Sequence, residues 1–374
     1  MKDRVCFLGN GRSVYLQQFC NRFVELGWDV HLITWRNPES MRYNKKVQIH
    51  KIFSPPHSFL IFLAVLEVAL LLRRIKPDII HAHYINTFGI VAALVKHIFP
   101  YPLVVSAWGP HGIRKSRGIR RALIKHTFQK ADRVLTTSDY LRKVIIEEFH
   151  IPGKKITAIP WGINLQLFSP KEQPEINQIR KRYGLKSTDF VVLSPRNLEP
   201  VYRIENIVEG FSKVHKKHPK VKLLMLKGYG KTKDYEEMIL NKIQDNDVRE
   251  GVFYIPHLLS RDELAEMYAI SDILVSVPLN DQFSSCIQEG IACGAVPITK
   301  DLDVYKMYLK DGENALFAKK GKPKNIADKI IYCMKHPELK KQFYEKNRKI
   351  IEEYENWGEN SKKIENVYKE VLSK

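Results

Sequence analysis

Short apolar segments alternate with helix-patterned stretches along the chain, and this alternation narrows the fold more than any single motif does. Residues 5–9 read as a buried strand. A glycine-containing turn follows, Gly9-Asn10-Gly11-Arg12-Ser13, then a helix over about 14–26 that Gly27 ends. Further strands are predicted at 29–34, 78–83, 103–107, 133–136 and 156–159, with helical stretches between them. A second series begins after Pro170, at 190–194, 221–226, 252–255, 273–277 and 296–299. Apolar strands separated by helices predict parallel sheets covered on both faces. The segment Ile159-Pro160-Trp161-Gly162 through Ser169-Pro170 reads as a linker. The expected architecture is α/β, with two doubly wound domains whose strand C-terminal ends face a shared cleft. The 374 residues fit that number of domains, at ~100–200 residues each.

Charge divides the two series. Residues 1–165 carry 25 Lys and Arg against 10 Asp and Glu, whereas the rest carry 36 against 31, so most of the net +20 lies in the first part. Such an excess points to an anionic partner: nucleic acid, an anionic membrane or a phosphate-bearing substrate. It is densest from Arg114 to Lys130, with seven cations, no acid, and Ile119, Leu123, Ile124 and Phe128 interleaved. This spacing predicts a helix with one apolar and one basic face. It is either a solvated surface or a contact with an anion or membrane, and the uncompensated charge favours the contact. The longest apolar run, 59–72, is 14 residues broken by Glu67 and followed by Arg73 and Arg74. A spanning helix needs about 20 residues, so a buried or surface-lying helix is expected. Only residues 5–8 are apolar before Gly9, too short a run for a signal peptide. The five cysteines contain no CxxC pair, and they read as reduced thiols in a cytosolic protein.

Chemistry concentrates in Asp281-Gln282-Phe283-Ser284-Ser285-Cys286-Ile287-Gln288-Glu289, with Gly290 and Cys293-Gly294 after it. Ser284 or Ser285 can cap a helix, leaving first-turn amides free to attract phosphate. Glu289, about a turn further in, can accept hydrogen bonds from sugar hydroxyls. The plainer alternative is that Asp281 and Glu289 only cap and solvate a helix.

This stretch resembles the E-x7-E signature of retaining glycosyltransferases of family four, which have the GT-B fold. Other segments agree in order. Pro77-Asp78-Ile79-Ile80-His81-Ala82-His83 resembles the family's PD-v-v-H-x-H strand, and Ala131-Asp132-Arg133-Val134 through Ser138 its AD-x-v-x-x-S segment. Residues 159–170 resemble its interdomain I-P-N-G-v-D…F-x-P, Leu193-Ser194-Pro195-Arg196 its v-G-R turn, and Gly228-Tyr229-Gly230 its G-x-G turn. Trp357 with Val367-Tyr368 resembles the last helix, which crosses back to the first domain. The resemblance therefore implies an acceptor-binding domain over 1–165, completed by 356–374, and a donor-binding domain over 166–355.

It also implies the chemistry. A sugar moves with retention from a nucleotide-sugar donor, UDP-linked by family weight, and neither metal nor other cofactor is required. Positive side chains neutralise the departing diphosphate. Arg196 matches the family's arginine, while Val201 and Tyr202 stand where a lysine is usual, leaving Arg203 as the nearest substitute and Lys227 as a second. Asp281 replaces the first glutamate and Glu289 fits the second. On this basis Glu289, Arg196, Asp281, Arg203 and His111 are the expected catalytic residues. Donor contacts fall to Gly11, Lys227, Gly228, His257, Leu258, Phe283, Ser284, Ser285 and Cys286, several through backbone amides. Ser106-Ala107-Trp108-Gly109-Pro110-His111 replaces a common H-G-x-D pattern, so His83, Trp108, His111 and Arg114 are the expected acceptor contacts. His81 and His83 alternate on one strand without further ligands for a metal, so one is expected to be a core histidine.

The expected partners are the donor, a glycan or lipid-linked acceptor, and an anionic membrane surface met by the basic first domain. The protein is then cytoplasmic and peripheral to the membrane's inner face. Two other classes remain. One is a GT-B binding module without catalysis, suggested by the missing lysine and Asp281. The other is a nucleic-acid binder, suggested by the net charge but lacking any recognisable binding motif.

Overall fold

The computed structural model describes residues 3–36, 38, 42–56, 61–108, 113, 116–228, 232–354 and 356–373. The chain forms two compact units, one of residues 1–161 and 358–374 and one of residues 162–357.

The first unit holds a seven-stranded parallel sheet. Its strands are β1 (Arg4–Leu8), β2 (Asp29–Thr34), β3 (Gln48–Lys51), β4 (Ile79–His83), β5 (Leu103–Ala107), β6 (Arg133–Thr136) and β7 (Ile156–Ala158), in the order β3-β2-β1-β4-β5-β6-β7. Every residue of β4 and β5 is buried, as central strands covered on both faces must be. β3 is the strand that its sequence hides. It is polar, short and at the edge, and it is held by its register against β2 rather than by apolar burial. His50 of β3 stacks on His31 of β2, with ring centroids 5.2 Å apart.

The helix Trp357–Leu372 completes this unit, burying Ile364, Val367, Tyr368 and Val371. Tyr368 stacks on Phe23 at 4.9 Å, and its hydroxyl meets His81 Nδ1. Trp28 Nε1 donates to Glu365 at 3.0 Å, and Arg22 Nε donates to Ser361 at 3.0 Å.

The long apolar run becomes the helix Ile61–Ile75, with residues 59 and 60 outside the described residues. Ala64, Val65, Val68, Ala69, Leu72 and Ile75 face the core. The opposite stripe is apolar too: Phe62 is 76% exposed and Leu63, Leu66 and Leu70 each more than half. Glu67 does not interrupt that stripe with free charge, because its carboxylate accepts the amides of Phe53 and Ser54 at 2.7 and 3.1 Å. The basic segment forms the helix Gly118–Lys130 and buries Ile124 and Phe128, but Ile119 is 82% exposed. The expected single apolar face therefore loses Ile119, which sits in the first turn ahead of the buried positions. Arg121 is not free for an anion: it donates to the Glu148 carbonyl at 3.0 Å and lies over the Phe149 ring. Arg117 and Arg120 remain exposed. Among the described residues no helix is long and apolar enough to cross a membrane.

The second unit holds a six-stranded parallel sheet of β8 (Phe190–Ser194), β9 (Val221–Leu226), β10 (Val252–Ile255), β11 (Ile273–Ser276), β12 (Val296–Thr299) and β13 (Leu316–Phe317), in the order β10-β9-β8-β11-β12-β13. β13 is two residues at an edge and leaves no periodic trace in the sequence. The chain reverses direction in strand order beside β8, where the β8–β9 and β11–β12 branches diverge. Ligands of open parallel sheets gather at such a point.

Candidate functional site

The loops after β8, β9 and β11 bring Arg196, Lys227 and Asp281 to the C-terminal edge of the second sheet. Their mutual contacts tie the edge together. Leu198 donates its amide to the Lys227 carbonyl, and Leu279 donates its amide to the Val201 carbonyl. Gly228 lies between them at φ +62, and a Cβ there would stand 1.9 Å from Asn197 Oδ1. Gly228→Ala is therefore expected to destabilise the second unit by roughly 1–2 kcal/mol, since it adds left-handed strain to a collision. The midpoint of urea unfolding checks this.

Arg196 is the centre of the cluster and is 8% exposed. Its Nη2 lies 2.9 Å from Asp281 Oδ2, and its Nη1 donates to Cys286 Sγ at 3.0 Å. The Tyr202 ring covers its guanidinium at 4.0 Å. Asp281 Oδ2 also accepts the Tyr305 hydroxyl at 2.7 Å. Burial opposes the Arg196 charge, but Cys286 and Asp281 outweigh it and hold its pKa well above the ordinary value. Burial raises the Cys286 thiol, against the pull of Arg196.

The other two candidate cations are also paired. Lys227 Nζ lies 3.1 Å from a Glu236 oxygen, and Arg203 Nε lies 3.9 Å from Glu205. The Tyr254 hydroxyl, with Lys227, holds the Glu236 carboxyl below its usual range. Arg203 sits at φ +53, at the start of the helix Ile204–His215. The ring of Tyr202, at the place of the family's lysine, rests on Arg196 instead of supplying a cation.

The helix Ser285–Ala292 follows, with Ser284 as its N-cap. The Ser284 side chain makes no cap hydrogen bond, and its hydroxyl faces Cys286 Sγ at 3.2 Å. The expected capping through this serine is thus absent, because the hydroxyl turns toward the thiol. Phe283 stacks on Tyr308 at 4.3 Å. Gly290 lets the helix pack on β11, where a Cβ would meet Leu274 Cδ2 at 2.1 Å. His257 and Leu258, after β10, are exposed.

Glu289 is not an open acceptor for sugar hydroxyls: it is 2% exposed, with Oε1 2.8 Å from Arg261 Nη1. Tyr268, near the same carboxylate, favours its charged form. Burial raises the Glu289 pKa, opposed by Arg261. The folded chain therefore holds this proton more tightly than the unfolded chain, and the group costs stability as pH rises past the ordinary glutamate range. Arg261 was recoverable from sequence only indirectly. Ser260 and Glu263 form a capping box that starts the helix Arg261–Ala269, which fixes Arg261 in its first turn.

The first unit departs further from expectation. Gly11 has no amide to offer a donor, because that amide donates to Thr34 Oγ1 at 2.8 Å and its carbonyl accepts the Tyr43 hydroxyl at 2.9 Å. His83 is fully buried among Phe7, Phe19, His81 and Trp108, and neither ring nitrogen has a hydrogen-bond partner among the described residues. It does not reach the surface as an acceptor contact, and burial drives its pKa well below the usual value. His81 is the core histidine: Nε2 meets Ser106 Oγ at 2.7 Å, and burial lowers its pKa to about 3. Trp108 is half-buried, with Tyr84 and Trp161 at 4.3 and 3.9 Å. His111 and Arg114 lie outside the described residues.

Residues 9–167 match the family model described as Glycosyltransferase Family 4, and residues 175–350 match that described as Glycosyl transferases group 1. The chain is 23% identical to the N-acetyl-alpha-D-glucosaminyl L-malate synthase of Bacillus anthracis, over 97% of this chain and 94% of that protein. It is 26% identical to the alpha-galactosylglucosyldiacylglycerol synthase of Streptococcus pneumoniae, over 54% of this chain and 52% of that one. Among solved structures it resembles Anabaena HepE in complex with UDP and glucose, with a TM-score of 0.83 and 15% identity over 98% of this chain and 100% of that one. At that identity the likeness speaks to the fold alone.

Proposed function

For a chain that belongs to the family-four glycosyltransferases, GT-B enzymes acting on nucleotide sugars, we propose retaining transfer from a UDP-linked sugar to a lipid-linked acceptor at the cytoplasmic membrane face. The donor sits on the second unit, its diphosphate meeting Arg196, and no metal is needed because side chains carry the neutralising charge. HepE was solved with UDP and glucose, which supports the choice of nucleotide. The pneumococcal relative is named as a diacylglycerol glycolipid synthase, which supports a lipid acceptor.

The observation that carries the acceptor reading is the exposed stripe of Phe62, Leu63, Leu66 and Leu70 on the unit that carries most of the net positive charge. An apolar stripe beside cations suits an anionic bilayer surface, where each nearby Lys or Arg adds about 1 kcal/mol. The protein is expected to float with phosphatidylglycerol vesicles at low salt and to dissociate as salt rises. Leu66→Glu with Leu70→Glu should abolish flotation and leave UDP binding unchanged. Equal binding to neutral vesicles, or none to anionic ones, removes the membrane reading. Transfer assays with UDP-sugars in EDTA, with the product anomer read by NMR, test the chemistry. Inversion, or a strict metal requirement, overturns it.

A further inference from the structure

Arg196, the residue placed against the diphosphate, already has an anion. We propose that Asp281 is its resident counter-ion, exchanged for the donor diphosphate on binding, and that Tyr202 and Tyr305 are positioning residues for this exchange. The inference rests on the reading that Arg196 meets the diphosphate.

The geometry leads there in three steps. First, Arg196 and Asp281 are almost fully enclosed, with side chains 8% and 14% exposed and 2.9 Å apart. A carboxylate so placed cancels the charge that the diphosphate needs. Lys227 and Arg203 are similarly matched by Glu236 and Glu205, so no unopposed cation among these three awaits the donor. Second, a diphosphate carries more charge than a carboxylate and accepts the guanidinium fork in two places, so it can take Arg196 over. The Tyr202 ring holds the guanidinium plane at 4.0 Å whichever anion faces its edge. Third, an aspartate that loses its arginine in a buried site would be left without a partner, at a substantial cost. The Tyr305 hydroxyl, 2.7 Å from Asp281 Oδ2 and within a fully buried side chain, keeps one hydrogen bond on that carboxylate after the exchange. Tyr305 therefore makes the release of Arg196 cheaper.

Calorimetric titration of UDP into the full chain, with pyrophosphate as a probe without a base, tests this. Asp281→Asn removes the competing charge and should tighten both ligands about tenfold, because the binding-competent arginine is no longer withheld. Tyr305→Phe keeps the ring and should weaken both about fivefold, and that weakening should vanish in the Asp281→Asn background, the non-additivity of a shared partner. Asp281→Asn that binds no tighter, or a Tyr305→Phe effect that persists unchanged in the double variant, overturns the exchange. Should Asp281→Asn fail to fold, Tyr305→Phe alone decides, since unchanged or tighter binding refutes the proposal. Arg196→Ala separates the two layers. If it binds both ligands as the unaltered protein does, the placement of the diphosphate on Arg196 is wrong. If it loses them while Asp281→Asn gains nothing, only the exchange is wrong.

Discussion

Replacing Arg196 with alanine is expected to lower turnover about 10²–10³-fold, the effect of removing one preorganised donor from developing negative charge. kcat should fall further than KM rises, because the diphosphate gains charge as the bond to the sugar breaks. The loss should not be rescued by Arg196→Lys. An ammonium restores charge but not the fork that now spans Asp281 and Cys286, nor the flat face under Tyr202. Steady-state kinetics on the three proteins check this, and a change confined to KM would show that Arg196 only binds. The alanine variant also leaves Asp281 with the Tyr305 hydroxyl and without its arginine, so its thermal midpoint belongs beside the kinetics.

The second large effect falls on stability. From sequence alone, Glu289→Gln is a change that removes activity and spares the fold. The structure predicts otherwise. The carboxylate is 2% exposed and faces Arg261, whose cation would lose its nearby anion. Breaking a fully buried pair costs roughly 3–5 kcal/mol, but Arg261 is 28% exposed and burial already opposes the Glu289 charge, so the expected loss is about 2 kcal/mol. For a domain of this size that lowers Tm by roughly 4–8 °C. Glu289→Gln combined with Arg261→Gln should recover much of the Tm, because neither charge is then stranded. If the double variant regains stability but not transfer, Glu289 has a role in the reaction apart from its pair. If Glu289→Gln melts as the unaltered protein does, the pair contributes nothing.

The parts legible in the sequence are those with a local cause. Strands such as β5 and β9 are apolar but for Ser106 and Lys222, because both their faces are covered, so their bounds could be read directly. β3 and β13 could not be, because pairing at an edge needs a partner's register and no apolar pattern of its own. The site divides the same way. Arg196, Asp281 and Glu289 stood out from motif order, and Gly228 from its turn. Their pairings did not: Tyr305 lies 24 residues from Asp281, and Arg196 reaches Cys286 across 90. Tyr202 was visible only as a missing lysine, and nothing in a linear string says that its ring lies over an arginine. Gly11 and His83 misled for the opposite reason. Their residue types suit a ligand, but the turn and core around them had already taken up the Gly11 amide and enclosed the imidazole.

The helix Trp357–Leu372 gives the first unit a delayed completion. On a ribosome, β7 is finished about 200 residues before that helix appears. At ~5–20 residues per second the interval is roughly 10–40 s. Throughout it, Phe23, Trp28 and His81 lack the tyrosine that later seals them, while the entire second unit is being synthesised. The nascent chain therefore carries an open aromatic seam for most of its synthesis, and the second unit can be folded before the first is closed.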